Sequence, residues 1–483
     1  MASTEDAVRH VDSTEELIHI LNANGPGLQQ VHHAQLDLDD DGESLGAHSC
    51  CRDCVRLALG LANNTSVKSL ELSSKRANGC LLMAAAEALK LNATLQSCTM
   101  DCSDTSIGDE TGVAMAEAIK QNITLQSFTM DCEDTAIGDE TGVAMAEALM
   151  QNTTLQSFTM DCRSTSIGDK TGVAIAEAIK QNITVQSFTM DCRSTSIGDV
   201  TGVAMAEALK QNITLQSFRM DYIDTSIGDV TGVAMAEAIK QNITLQSFNM
   251  DFFATSIGDV TGVAMAEAIK QNITLQSFRI VFYSTSIGDE TSVAMAEAIE
   301  QNTSLQSFNM YCSATSIGDE TGVAMAEAIE QNITLQSFTI DCSGTSIGDE
   351  TEAALEEAIT QATQRNQALR AQRHSLARLA RWSGDIGFQS LIEGEFRKRV
   401  FQFFLPSWCK LMPVAFLNPQ RVTQTRGEVA GAACAEMRAH HEVAAVASAG
   451  AGSAQSEGTV LDPAKEEQLG LALEQSMADA TDR

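Results

Sequence analysis

Two rows of chemically active side chains run through this sequence at a fixed spacing of 30 residues. Cysteines stand at Cys102, Cys132, Cys162, Cys192, Cys312 and Cys342; aspartates stand one position earlier in the unit, at Asp101, Asp131, Asp161, Asp191, Asp221, Asp251 and Asp341. Thiolates could hold a soft metal or carry redox chemistry, and stacked carboxylates could attract cations or basic proteins. A structural zinc site needs ligands that converge tetrahedrally, which a linear row does not supply. The cysteines are therefore expected to be small buried apolar side chains at a loop corner. Cys50, Cys51 and Cys54 have the wrong count for a closed site and are read the same way. On neighbouring strands the aspartates would lie about 5 Å apart, repel one another and raise one another's pKa. A solvated acidic strip is the plain reading of that row.

Nothing in the chain has the form of a catalytic constellation. Histidine occurs only at 10, 19, 32, 33, 48, 374, 440 and 441, never within the uniform middle, and there is no glycine-rich phosphate loop. A nucleophile with a base and a supporting group is the minimum for catalysis, so no enzyme activity, cofactor or metal is expected. The formal charge of −33, from 64 acidic against 31 basic residues, argues against nucleic acid, which needs a cationic surface. The N-terminus lacks a basic region followed by an apolar one. The most apolar run, Val400 to Leu417, is interrupted by Gln402, Pro406, Lys410 and Pro413, so no membrane span is expected. Thirteen cysteines without a secretory signal point to reduced thiols in the cytoplasm, or in the nucleus. The recurring Asn-Ile-Thr triplets at Asn122, Asn182 and Asn212 match the glycosylation sequon but are expected to be unmodified and structural.

The rows change character in one place. Tyr222-Ile223, Phe252-Phe253 and Phe282-Tyr283 replace the usual Cys-x pair, with Tyr311 beside them and Arg219 and Arg279 in place of threonine. Aromatics with arginine have the composition of an interaction hot spot. Rings filling the corner that cysteine fills elsewhere are the competing reading.

The elements that position these rows follow from the repeat itself. TSIGDETGVAMAEAIKQNITLQSFTMDC recurs with isoleucine at 107, 137, 167 and onward to 347, and phenylalanine at 128 and onward to 338. Within one copy Asp109 is the expected N-cap, and Gly112, Met115, Ala116 and Ile119 fall on one helical face. Asn122 ends the helix, a place where asparagine tolerates the left-handed conformation. A short strand follows over 125–130, with Ser127, Thr129 and Asp131 facing the inner surface. A unit this small cannot bury its own apolar faces and must stack on its neighbours. About eleven such strands are expected, from near 34–38 to 335–341.

These residues resemble the leucine-rich repeat in its ribonuclease-inhibitor-like form, which typically reads IGDEGAKALAEALKxNTTLxxLxL. The resemblance covers about residues 28–360 and implies an α/β solenoid, with a parallel inner sheet and outer helices. Phe128 and Met130 replace two consensus leucines, the loop is about two residues longer, and Cys132-Glu133 stand where the family has asparagine. The implied organisation is an N-terminal helical cap over 1–30 and the solenoid over 31–360. A basic helical C-terminal cap over 361–423 follows, as one or two helices with a break near Asn366. An Ala/Gly/Ser-rich linker over 424–461 then leads to a last helix over 462–483.

That last helix is similar to the ubiquitin-interacting motif. Glu466 and Glu467 form the acidic cluster, followed by Leu469, Ala472, Leu473, Ser476 and Asp479, although Lys465 stands where the family prefers an acid. The resemblance implies that Ala472 lets the helix approach an apolar patch of ubiquitin while Ser476 bonds at its edge. Together the readings describe an intracellular scaffold or adaptor. It would take a protein partner on the concave or loop face, at Arg219, Tyr222, Ile223, Phe252, Phe253, Arg279, Phe282, Tyr283 and Tyr311, and ubiquitin at the C-terminal helix. The alternatives are a plain leucine-rich-repeat interaction protein with an inert tail, or a Ran-type GTPase-activating protein.

Overall fold

The computed structural model describes residues 8–10, 14–23, 30–35, 48–73 and 79–383. The chain divides into two compact units, Met1–Ala377 and Arg378–Arg483. The first is an α/β solenoid of leucine-rich-repeat type. Among the described residues its twelve strands form one sheet in strict chain order, every pairing is parallel, and a helix follows each strand. In the uniform region each unit is a five-residue strand such as Ser127–Asp131 and a thirteen-residue helix such as Asp139–Gln151.

Strand alternation sets the layers. Phe128 and Met130 point into the core while Ser127, Thr129 and Asp131 stay half-buried on the concave side. Register is one repeat per strand, Phe128 against Phe158 and Met130 against Met160. This places the phenylalanines in a continuous column from Phe128 to Phe338, with ring centroids 5.4 to 6.3 Å apart and offset-stacked. On the other wall of the core lie Met115, Ala116, Ala118 and Ile119 of the helix Asp109–Gln121. The phenylalanine and methionine that depart from consensus leucine therefore fill leucine's place.

Both helix ends are built differently from the sequence expectation. Asp109 is not the N-cap of its own helix: Gly108 is, in an extended conformation with no side-chain cap bond. Asp109 Oδ1 reaches forward one repeat and accepts from the Gly138 N–H at 2.9 Å, the Thr141 N–H at 3.0 Å and the Thr141 hydroxyl at 2.7 Å. Each aspartate thus caps the next helix. Thr141 in turn rests on Gly112, where an added Cβ would lie 2.2 Å from its hydroxyl oxygen.

Asn122 is likewise not left-handed; its φ of −71° and ψ of 132° are extended. Its side chain is buried and bonds in both directions. Oδ1 accepts from the N–H groups of Thr124 and Leu125 at 2.9 and 2.7 Å, and Nδ2 donates to the carbonyls of Leu89 and Asn92 at 2.7 and 3.0 Å. The left-handed conformation sits in the loop after each strand instead, at Asp104, Asp134, Ser164, Ser194, Asp224, Ala254, Ser284 and Ala314, and at glycine only in Gly344.

The last helix, Asp349–Ser383, runs unbroken through Asn366. Asn366 takes the next rung of the asparagine ladder, donating to the carbonyls of Asn332 and Leu335 at 2.9 and 2.8 Å. Arg365 beside it donates to the carbonyls of Glu330 and Asn332 at 2.5 and 2.6 Å. The helix thereby closes the carbonyls that a following repeat would otherwise close.

Among the helices from Asp109–Gln121 to Asp319–Gln331, one copy breaks the glycine rule. Ser292 replaces glycine at the helix–helix contact, and its hydroxyl is buried without a hydrogen-bond partner among the described residues. An unsatisfied buried hydroxyl costs about 1–3 kcal/mol, and glycine within a helix about 0.5–1 kcal/mol. Ser292→Gly should therefore raise stability by about 1 kcal/mol in urea unfolding. Gly202→Ala, whose Cβ would meet Thr231 Oγ1 at 2.0 Å, should lower it by about 1–3 kcal/mol.

The forward caps also set an acid limit. Burial works to raise the Asp109 and Asp139 carboxyl pKa values, but the Thr141 and Thr171 hydroxyls with the adjoining backbone N–H groups outweigh it and hold both below the ordinary aspartate value. A depressed folded-state pKa gives stability that is present above the unfolded value, about 3.9, and is lost as pH falls through the folded one. Asp109→Asn with Asp139→Asn should lower stability at neutral pH and flatten its decline below about pH 4, as read by urea unfolding at stepped pH.

Candidate partner-binding surface

The aspartate row has a local task before any binding role. Asp131 Oδ1 accepts from the backbone N–H of Glu133 at 3.0 Å, Asp161 from Arg163 at 3.1 Å, Asp191 from Arg193 at 3.1 Å and Asp251 from Phe253 at 3.0 Å. Each bond is a turn in which a side-chain oxygen substitutes for a backbone one. The turn separates two adjacent side chains: the residue after the aspartate goes into the core, and the next goes out over the concave rim.

This parity divides the aromatic residues. Tyr222, Phe252 and Phe282 have no accessible surface and stack on one another 6.2 and 6.1 Å apart. They occupy the corner that Cys132, Cys162 and Cys192 fill in other copies, so they cannot touch a partner. The Tyr222 hydroxyl finds only the Met220 sulfur, at 2.9 Å. Ile223, Phe253 and Tyr283 belong to the outer row, and Tyr283 is 38% exposed. Phe253 and Tyr283 form a stacked pair with centroids 4.7 Å apart.

Arginines complete the surface. Arg163 pairs with Glu133 at 2.6 Å and Asp161 at 2.7 Å, Arg193 with Asp191 at 2.5 Å and Arg219 with Asp221 at 2.8 Å. Arg279 differs: it donates to Asn249 Oδ1 at 3.1 Å and lies over the Tyr311 ring, 4.8 Å from its centroid. On its own strand and the next, the aspartate of the row is replaced by Val281 and Tyr311, while Asp251 remains on the strand before. A concavity of about 570 Å³ gathers Arg163, Arg193, Ile223, Phe253, Arg279, Tyr283 and Tyr311 among its lining. Arg219 is exposed beside it and is not part of that lining.

Charge within the row is graded. Burial pushes the Asp131 carboxyl above its usual value; the Glu133 N–H opposes this, and neighbouring Asp161 and Asp101 add to it. Asp251 is raised by burial and by Asp221, against the pull of Phe253 N–H, Arg279 and Arg193. Burial also raises the thiols of Cys98, to about 12, and of Cys132 and Cys192, well above the ordinary value. Such thiols stay protonated and unreactive.

Arg163 and Arg193 were not among the residues singled out from the sequence. The signal was present in the same outer row, which reads Ser103, Glu133, Arg163, Arg193, Ile223, Phe253, Tyr283, Ser313 and Ser343 in a chain otherwise copied almost unchanged. The residues of the ubiquitin-interacting-motif-like helix, Glu466, Glu467, Leu469, Ala472, Leu473, Ser476 and Asp479, lie outside the described residues. So do the linker over 424–461 and the basic segment beyond 383.

Core and rim aromatics should separate experimentally. Phe252→Cys leaves a buried void and should cost about 2–4 kcal/mol, while Tyr283→Ser at the rim should cost less than about 1 kcal/mol. Equal losses in urea unfolding would contradict the assignment of the two rows.

No family model matches the chain, and no curated protein matches it. Among solved structures it is similar to leiomodin-1 actin-binding site 2, at 21% identity over 36% of this chain and 95% of that one, with a TM-score of 0.31. It is similar to the crystal structure of the Rad7 and Elc1 complex in yeast, at 14% identity over 71% of this chain and 85% of that one, with a TM-score of 0.38. It is also similar to the tropomodulin C-terminal domain of Caenorhabditis elegans, at 17% identity over 36% of this chain and 96% of that one, with a TM-score of 0.28.

Proposed function

We propose that the solenoid is a protein-binding scaffold whose partner seats on the concave rim, over Ile223, Phe253 and Tyr283 and between Arg193 and Arg279. One observation carries this reading. Among the described residues, the rim positions that differ from copy to copy come together around one concavity, while the phenylalanine, asparagine and capping-aspartate ladders stay uniform. Exposed stacked aromatics beside arginine are what binding hot spots are made of, and the guanidinium over Tyr311 holds a cation ready for an acceptor on a partner. Buried, protonated thiols and the absence of histidine from the uniform repeats favour binding over catalysis.

The tail extends the reading to an adaptor. The motif over 466–479 would bind ubiquitin weakly as a single helix, so a ubiquitylated partner held on the rim would gain through effective concentration. The ribonuclease-inhibitor-like form of the repeat, which pairs a helix with every strand, is in keeping with such a role.

Two measurements test the halves separately. Proteins captured from a eukaryotic lysate by the wild-type chain should be lost with Arg279→Ala/Tyr283→Ser and retained with Ile213→Ser, a change at an exposed position off the rim. Equal retention by both variants would remove the rim from the proposal. Isotope-labelled ubiquitin titrated with the full chain should shift at its apolar patch, and Ala472→Gln/Ser476→Ala should abolish the shifts. Silence at about millimolar chain, the weak limit of specific binding, would remove the adaptor half.

A further inference from the structure

The cysteine row is not chemically uniform, and its last rung is where it departs from an inert packing element. Cys102, Cys132, Cys162 and Cys192 have no accessible surface; the Cys162 thiol reaches the Asp191 carbonyl at 2.9 Å, and the Cys312 thiol reaches that of Asp341 in the same way at 3.3 Å. Tyr222, Phe252 and Phe282 then interrupt the row. It resumes as an isolated pair: Cys312, fully buried, and Cys342, which is half-buried. The two sulfurs are 3.3 Å apart.

We propose that Cys312 and Cys342 form a disulfide under oxidising conditions, a modification site that links the last two repeats of the solenoid.

The backbone is already in place. The strands Ser307–Tyr311 and Ser337–Asp341 are paired in register, Tyr311 against Asp341, so the two cysteines are the next residues on adjacent strands. The Cys312 N–H donates to the Asp341 carbonyl at 2.8 Å, carrying the pairing up to the cysteines themselves. Neighbouring strands run about 4.8 Å apart, inside the Cα separation that disulfides span, about 4.4–6.8 Å. The sulfurs need close only from 3.3 Å to about 2.0 Å.

Access favours Cys342 as the first thiol to react. With a peroxide as oxidant, Cys342 attacks one peroxide oxygen; the O–O bond breaks, water leaves, and a sulfenic acid remains. The Cys312 thiol then attacks the Cys342 sulfur, the S–O bond breaks, and a second water carries off the hydroxyl with the Cys312 proton. Two thiols are oxidised and one peroxide is reduced to two waters. The neighbouring Cys342 thiol and burial push the Cys312 thiol up, so Cys312 does not react first; it attacks second, from the sulfur contact already in place. The bond would close a loop of one repeat at the last strand of the sheet among the described residues. It would also join the corner directly behind Tyr311 and Asp341, two residues lining the rim concavity.

The test uses the full folded chain. It is treated with hydrogen peroxide, free thiols are blocked with N-ethylmaleimide, and the protein is cut without reduction by a glutamate-specific protease, which cleaves between the two cysteines at Glu320, Glu327 and Glu330. Mass spectrometry should find peptides carrying Cys312 and Cys342 joined, two mass units below their sum, and separated by reduction. The urea midpoint of the oxidised wild type should rise over that of the reduced protein, and Cys342→Ala should abolish both the joined peptides and the rise. Recovery of Cys342 as a sulfinic acid, in a bond to any other cysteine, or still as a free thiol after cysteines elsewhere have oxidised would overturn the proposal. The wild-type peptide map decides this even if a variant fails to fold.

Discussion

The buried asparagine at the end of each helix is the constraint on which the rest of the solenoid depends. Where a helix gives way to a strand, the last carbonyls of the helix and the first N–H groups of the next segment are left without partners inside a dry junction. Each asparagine serves both sets: its oxygen takes two N–H groups of its own repeat, and its nitrogen gives two hydrogens to carbonyls of the repeat before. The chain of such bonds begins at Asn64, which donates to the Leu21 carbonyl at 2.8 Å, and ends at Asn366. Unpaired, each buried group would cost about 1–3 kcal/mol. No repeat can therefore fold alone without leaving these groups unpaired. The same bonds explain the sequons. The Asn122 nitrogen is inside the junction with both hydrogens engaged, so the folded chain offers it to no glycosyl donor.

A second interlock guards the opposite end of each helix, where the aspartate of one repeat caps the helix of the next and the threonine it holds packs on glycine. Asparagine, aspartate, threonine and glycine are thus fixed by contacts to both neighbours, and so is the phenylalanine column between them. Substitution is tolerated most where a side chain faces solvent or fills the cysteine corner. This is why the copies differ mainly along the rim and at the cysteine corner, and why the rim is where a binding surface could develop without loosening the stack.

The architecture was legible in the sequence because period and burial are local properties. The 30-residue repeat, the switch from helical to strand periodicity, and the core face of Met115, Ala116 and Ile119 all follow from one copy read alone. What could not be read was which copy a side chain serves. Asp109 and Asp139 have nearly identical surroundings in sequence, so a cap on the same helix and a cap on the next are written with the same residues. Asn122 was assigned the backbone conformation that asparagine tolerates, whereas its side chain was the part in demand. The adjacent aromatics posed a problem of parity: Phe252 and Phe253 are equally apolar, and only the turn made by Asp251 decides which goes inward. Arg163 and Arg193 escaped notice because each stands two residues from an aspartate that neutralises it, leaving no local charge signal.

Those arginines change what the acidic composition means at the rim. A row of carboxylates at strand spacing repels itself, and Asp161 and Asp101 add to the burial that raises Asp131. From Asp161 to Asp221 each rung is matched by an arginine within 2.8 Å, and at the next rungs the carboxylate faces Arg279 or is replaced by Val281 and Tyr311. The row is therefore acidic at its two ends and close to neutral in the middle, where the Phe253–Tyr283 pair lies. Desolvating that middle section on contact with a partner costs far less than desolvating bare carboxylates would, while the acidic ends still repel partners of the same sign. On a chain this negative, the aromatic rim is usable as a contact surface because the arginines around it have already quenched the charge beneath.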